Sequence, residues 1–131
     1  MLIYKRKIYG FQCDIYGHLN NSYYLQIYEE ARADALTSIG FPVKRLIELG
    51  IHIYLVRVEI DFIRGIPLEE DITVRSRIEK MDRLSGLWRQ EIFDSRENLC
   101  NTALTRGVFV RNGKPARLNK ETYTELLNLV K

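Results

Sequence analysis

Apolar positions along the chain change period several times, and each change marks an element. Leu2 to Gly10 alternates loosely, with Ile3, Tyr4, Ile8 and Tyr9, and predicts a first strand. Phe11 to Asn20 is irregular, with Gly17 as its breaker. Tyr24, Ile27, Tyr28, Ala31, Ala35 and Ile39 then recur at three- and four-residue spacing, the stripe of one buried helix face. Gln26, Glu29, Glu30 and Arg32 lie away from most of that stripe. Asn20, Asn21 or Ser22 can cap the helix start by offering an oxygen to a free N–H. Gly40 and Pro42 stop it, and Pro42 to Leu49 reads as a short second helix ending at Gly50.

Beyond Gly50 the period falls to two. Val56, Val58, Ile60 and Phe62 alternate with Arg57, Glu59 and Asp61, which predicts a long strand with one apolar face. Gly65 and Pro67 break it. Ile72, Val74 and Ile78 define another strand, Ser85-Gly86 turns the chain into Leu87 to Phe93, and Asn101 to Arg111 is a last strand ended by Asn112-Gly113. Asn119 to Val130 reads as a terminal helix. Short turns between consecutive strands favour an antiparallel sheet. A single long helix with an apolar face is buried if that sheet curls around it. The fold class is therefore α+β, a curved antiparallel sheet wrapped around one central helix, and residues 1–131 read as one domain.

Composition narrows the function classes. The chain has 131 residues, 46% hydrophobic and 28% charged, the profile of a globular protein. Its apolar stretches fall short of the roughly 20 residues of a membrane span. The charges of MLIYKRKIYG interrupt a short apolar run instead of preceding one, unlike a signal peptide, so the expected location is the cytoplasm. A net charge of +3 does not call for nucleic acid, although a local basic patch can hold a phosphate-bearing ligand. Cys13, Cys100, His18 and His52 have neither disulfide-framework nor zinc-ligand spacing, so no metal and no cofactor are expected.

The chemistry concentrates in Gln12-Cys13-Asp14-Ile15-Tyr16-Gly17-His18-Leu19-Asn20-Asn21-Ser22-Tyr23-Tyr24. A carboxylate, a glycine, a histidine and two asparagines stand just before the central helix. A helix N-terminus offers unpaired N–H groups and partial positive charge, suited to a carbonyl oxygen that gains negative charge. Asp14 would attack that carbonyl or activate a water. Gly17 would let the backbone approach a ligand closely. On residue chemistry alone, turn and cap roles explain Asp14, His18, Asn20 and Asn21 as well.

The run Asp14-x-x-Gly17-His18-x-Asn20-Asn21-x-x-Tyr24, followed by Tyr28-Glu29-Glu30-Ala31-Arg32, resembles the signature of the 4-hydroxybenzoyl-CoA thioesterase family of hotdog proteins, nearest to its branch of bacterial long-chain acyl-CoA thioesterases. Arg64-Gly65-Ile66-Pro67 also sits where that family has an arginine and a proline. The resemblance implies a hotdog fold and an acyl-CoA thioesterase. It places the catalytic aspartate on Asp14 and carbonyl polarisation on the backbone N–H near Asn21. It gives Gly17, His18 and Asn20 supporting roles, and it implies a homodimer that assembles to a homotetramer. Tyr23, Tyr24 and Arg64 are the candidate substrate-binding residues. Tyr28, Phe62 and Trp88 are further candidates for an acyl pocket, with core or dimer packing as the competing role. Glu29 and Glu30 read as solvent-facing or interface residues.

A thioester carbonyl is electrophilic and its thiolate leaves readily, so no serine triad is needed, and the chain has no Gly-x-Ser-x-Gly elbow. Two alternatives share the fold: a thioesterase for acyl carrier protein, and a non-catalytic module that binds acyl-CoA. Asp14 argues against the second, because a binder needs no carboxylate beside the thioester. A dehydratase is disfavoured by the positions of His18 and His52.

Overall fold

The computed structural model describes residues 2–130. In chain order they form β1 (Leu2–Lys7), a 3-10 turn (Gly10–Gln12), α1 (Asn21–Ser38), α2 (Val43–Glu48), β2 (His52–Phe62), β3 (Asp71–Met81), β4 (Ser85–Phe93), β5 (Leu99–Arg111), β6 (Lys114–Pro115), α3 (Lys120–Leu126) and a closing 3-10 turn (Leu127–Leu129). All pairings are antiparallel, in the order β1-β3-β4-β5-β2, with β6 as a short addition to β5. The sheet curls around α1, which is the hotdog architecture.

The predicted stripe on α1 is buried: Tyr24, Ile27, Tyr28, Ala31 and Ala35 all lie in the core, joined by Leu36. Each large apolar side chain removed from water this way stabilises the fold by about 1.5–3 kcal/mol. Around the N-terminal half of α1 they pack against Ile72, Val74, Ile92 and Ala103. Around the C-terminal half the core includes Phe41, Leu46, Ile78, Trp88, Phe109 and Leu126. Tyr28, a candidate pocket residue, is fully buried, and its hydroxyl donates to Asn101 Oδ1 at 2.6 Å.

Arg32 departs from the sequence reading, which set it apart from the buried stripe. It is 9% exposed, and its Nη1 donates to Gln90 Oε1 at 2.9 Å. Gln90 is itself fully buried and donates through Nε2 to the Tyr28 carbonyl at 3.1 Å and to Ser76 Oγ at 3.0 Å. The guanidinium reaches inward because the sheet curls far enough to present a polar acceptor there.

β2 also differs from expectation. Val56, Val58, Ile60 and Phe62 read as one apolar face of the strand, yet Val56 and Phe62 are 57% and 55% exposed. β2 is the edge strand beside β5, and its register shifts between Leu55 and Arg57. The bulge takes Val56 out of the alternation, while Phe62, at the strand's end, keeps its parity and rests on Tyr24 with its outer side in solvent. Asn112-Gly113 does more than end β5. Both residues have positive φ (52° and 76°), the backbone of a two-residue hairpin turn, and the chain folds back as β6.

Gln90→Leu keeps the side-chain volume but strips Arg32 of its acceptor inside the core. Denaturant unfolding should show a loss on the order of 2–4 kcal/mol. A loss indistinguishable from zero would mean that this network does not seat α1.

Candidate active site

The segment before α1 is a miniature hairpin. Cys13 and Leu19 form a bridge, the Asp14 N–H donates to the His18 carbonyl at 2.9 Å, and the Gly17 N–H donates to the Asp14 carbonyl at 3.0 Å. Asp14 Oδ1 accepts from the Tyr16 N–H at 2.9 Å, the closure of an Asx turn. The other carboxylate oxygen has no partner among the described residues. Gly17 has φ of +76°, and a Cβ there would meet nothing within 4 Å. Glycine is needed for the backbone conformation, and the space for a side chain is open.

The hairpin is tied to the loop after β2. Leu19 N–H donates to the Ile66 carbonyl at 2.7 Å, and Leu68 N–H to the Gly17 carbonyl at 3.2 Å. His18 pairs with Pro67, and its ring lies against Gly65, where a Cβ would sit 3.2 Å from the imidazole. Among the described residues no hydrogen bond joins the imidazole to Asp14, whose Oδ1 is taken by the Tyr16 N–H. Asn20 is the N-cap of α1: its Oδ1 accepts from the Ser22 N–H at 3.0 Å. The Asn21 N–H, at the first helical position, has no partner among the described residues, as expected of a first-turn donor. The arrangement thus sets a half-buried carboxylate on the loop that delivers the chain to a helix N-terminus.

The surroundings are apolar. Tyr24 packs edge-on against Phe62 at 5.1 Å between ring centres and is 3% exposed, so little of it is left to meet a ligand. Burial pushes its phenol up to about 12, with Cys100, Asp14 and Cys13 adding to the rise, so it stays protonated at neutral pH. Burial also raises the Cys13 thiol, with Asp14 contributing, so Cys13 is a poor nucleophile. Tyr23 is half-buried beside this cluster. Phe11, Ile15 and Tyr16 stand out into solvent around Asp14, with Ile15 91% exposed.

The profile of the Thioesterase-like superfamily matches residues 11–126, which include this loop, α1 and the whole of β2 to β5. The chain belongs to that superfamily. It is 30% identical over 86 residues to the long-chain acyl-CoA thioesterase FadM of Escherichia coli (strain K12), an alignment that covers 66% of this chain and 64% of FadM. Among solved structures it superimposes on YbaW, a probable thioesterase of E. coli, with a TM-score of 0.87 and 26% identity over the full length of both chains. A DHNA-CoA thioesterase from Staphylococcus aureus gives a TM-score of 0.88 at 24% identity, covering 97% of this chain and 92% of that one, a likeness of fold. As a member of the thioesterase-like superfamily the chain is a thioester hydrolase.

The remaining candidates of this thioesterase fall into different places. Arg64 is exposed and lines a polar cleft of about 350 Å³ with Gly65, Pro67, Glu70, Asp94 and Arg96. Glu30 is committed to structure: it takes Arg6 Nη1 on both oxygens at 2.9 Å and the Tyr4 hydroxyl at 2.8 Å. Burial, followed by that bond to Glu30, pushes the Tyr4 phenol up to about 12. Glu29 is exposed on α1 and lines a groove well away from Asp14 along the helix.

One residue of the thioesterase loop escaped sequence reasoning. Gln12 is 5% exposed, and its Oε1 accepts from Arg6 Nη2 at 2.6 Å and from the Tyr9 N–H at 3.2 Å. Its carbonyl accepts from the Asn20 N–H at 2.9 Å. Gln12 therefore clamps both ends of the hairpin to β1, and Glu30 fixes Arg6 from the helix. No periodicity marks such a residue; a polar side chain amid the apolar flank of a motif was the only signal.

Gly17→Ala should cost about 1–2 kcal/mol in denaturant unfolding, because a Cβ disfavours positive φ. Unchanged stability would show that the turn relaxes without penalty.

Proposed function

We propose that the protein hydrolyses acyl-CoA thioesters, with Asp14 as the carboxylate that attacks or activates and the α1 N-terminus as the group that polarises the carbonyl. The observation that carries this reading is the free Asp14 oxygen on a hairpin that leads directly into the open N–H of Asn21. The thioester carbonyl oxygen accepts from that N–H, and the helix dipole stabilises the negative charge that builds on it. Two routes use the same geometry. Asp14 adds to the carbonyl carbon and expels CoA thiolate to leave an acyl anhydride, which water opens to free acid and carboxylate. In the other route Asp14 takes a proton from water, the hydroxide adds, and CoA leaves as thiolate to be protonated. His18, Gly17 and Asn20 hold the hairpin in place in both.

CoA is the favoured donor over acyl carrier protein because FadM, whose name gives acyl-CoA as its substrate, is 30% identical to this chain over 86 residues. A medium-to-long fatty acyl group is the proposed acid, Tyr23 and Arg64 contact the substrate, and Tyr24, 3% exposed, backs the site from the core. The proposed assembly is a homodimer formed through β2, joined further into a tetramer. β2 has one unpaired edge and exposes Tyr54, Leu55, Val56 and Phe62, with Ile63 just beyond its end, an apolar strip that a second copy would cover.

Asp14→Asn keeps size and polarity and removes the charge. Turnover of decanoyl-CoA should fall on the order of 10²–10⁴-fold in the folded variant, and His18→Ala should cost less. If Asp14 were only a turn residue, Asn would serve nearly as well and kcat would survive.

A further inference from the structure

Arg6 is the junction of β1, the Asp14 hairpin and α1. Its Nη1 meets both oxygens of Glu30 at 2.9 Å, its Nη2 donates to Gln12 Oε1 at 2.6 Å, and its Nε donates to the Lys7 carbonyl at 3.0 Å. All three guanidinium nitrogens are used, and the planar fork fixes the direction of each bond. Glu30 is held to β1 a second time by the Tyr4 hydroxyl, which donates to it at 2.8 Å. Gln12 Oε1 also accepts from the Tyr9 N–H at 3.2 Å, so this buried side chain is gripped from two directions.

The path of bonds closes on itself. Glu30 stands on the third turn of α1, roughly 14 Å along the helix from Asn21 at 1.5 Å per residue. From there it runs through Arg6 to Gln12, and the Gln12 carbonyl takes the Asn20 N–H, one residue before the helix. Among the described residues this is the only side-chain hydrogen-bonded route from the hairpin to the third turn of α1. Two other ties, Leu19 to Ile66 and Leu68 to Gly17, run to the loop after β2. They hold the hairpin to the sheet, and the Gln12 path sets where it stands on the helix. The ionic link itself adds little stability, because the Glu30 side chain is 38% exposed. Geometry is where it matters: a shift of about 1 Å in a reacting group costs on the order of 10²-fold in rate.

We propose that Gln12 is a positioning residue for thioester hydrolysis: held by Arg6 and Glu30, it sets the distance between the Asp14 carboxylate and the Asn21 N–H. This rests on the thioesterase reading above. Gln12 touches no reacting atom. Its effect falls on kcat, because the two groups it aligns act together on the carbonyl only in the transition state.

Gln12→Met keeps the length of the side chain and removes the acceptor. With decanoyl-CoA its kcat should fall on the order of 10–10²-fold while KM stays within about twofold. Gln12→Glu gives an oxygen back to Arg6 and to the Tyr9 N–H, and should return kcat to within about threefold of wild type. Wild-type kcat in the Met variant, a loss confined to KM, or a Glu variant as slow as the Met variant would each overturn the proposal. Glu30→Gln tests the route, and stands in for Gln12→Met if that variant does not fold. Alone it should lower kcat about tenfold, and added to Gln12→Met it should cost less than about twofold more, since both cut one path. Wild-type kcat in Glu30→Gln, or losses that multiply in full, would contradict it. Amide exchange by NMR reads the clamp without turnover. The Asn20 amide should exchange about tenfold faster in Gln12→Met and in Glu30→Gln than in wild type, while the Leu19 amide, bonded to Ile66, keeps its protection. Unchanged Asn20 exchange would overturn the proposal whether or not the protein cleaves thioesters. Wild-type protein that releases no thiol from any acyl-CoA would refute the thioesterase reading, and faster Asn20 exchange in its variants would leave the positioning of the hairpin standing.

Discussion

Everything functional in this molecule depends on how α1 is held by the sheet. Hydrophobic burial of Tyr24, Ile27, Ala31 and Ala35 supplies the driving force, but apolar contact alone leaves a helix free to slide and rotate. The buried polar bonds remove that freedom. Arg32 to Gln90, Gln90 to Tyr28 and Ser76, and Tyr28 to Asn101 tie two turns of α1 to three neighbouring strands. Breaking one leaves a desolvated polar group, so each alternative seating of the helix is penalised. The position of the α1 N-terminus, where a carbonyl would be polarised, follows from this seating.

A second network extends the constraint from the helix to the hairpin. Glu30 sits on α1 and grips Arg6 of β1; Arg6 holds Gln12; the Gln12 carbonyl receives the Asn20 N–H. The loop before α1 is thus fixed from the helix it precedes. Asp14 gains a defined position although it lies on an exposed turn, and the closure of its own Asx turn leaves one carboxylate oxygen without a partner among the described residues. Phe11, Ile15 and Tyr16 flank it in solvent.

The sequence revealed the elements more readily than their surroundings. The α1 stripe was visible because its period is undisturbed over about four turns, and the cap was narrowed to Asn20, Asn21 or Ser22, of which the structure uses Asn20, because local bonds decide caps. The β2 strand was visible too, but not its exposure: whether an alternating strand is central or at the edge depends on long-range pairing, and the bulge at Val56 shifted its faces. Arg32 and Gln90 were missed because each looks like a surface residue until the two meet inside the curl. The loop motif Asp14-x-x-Gly17-His18 was legible through family resemblance, while the clamp at Gln12 was not, since its bonds run to β1 and to the helix cap.

The measurement that tests the account most directly is a crystal structure of Asp14→Asn with an intact acyl-CoA bound. The thioester carbonyl oxygen should lie about 2.7–3.1 Å from the Asn21 amide nitrogen, with the substituted side chain against the carbonyl carbon. A thioester bound elsewhere, with its carbonyl out of reach of both groups, would contradict the account.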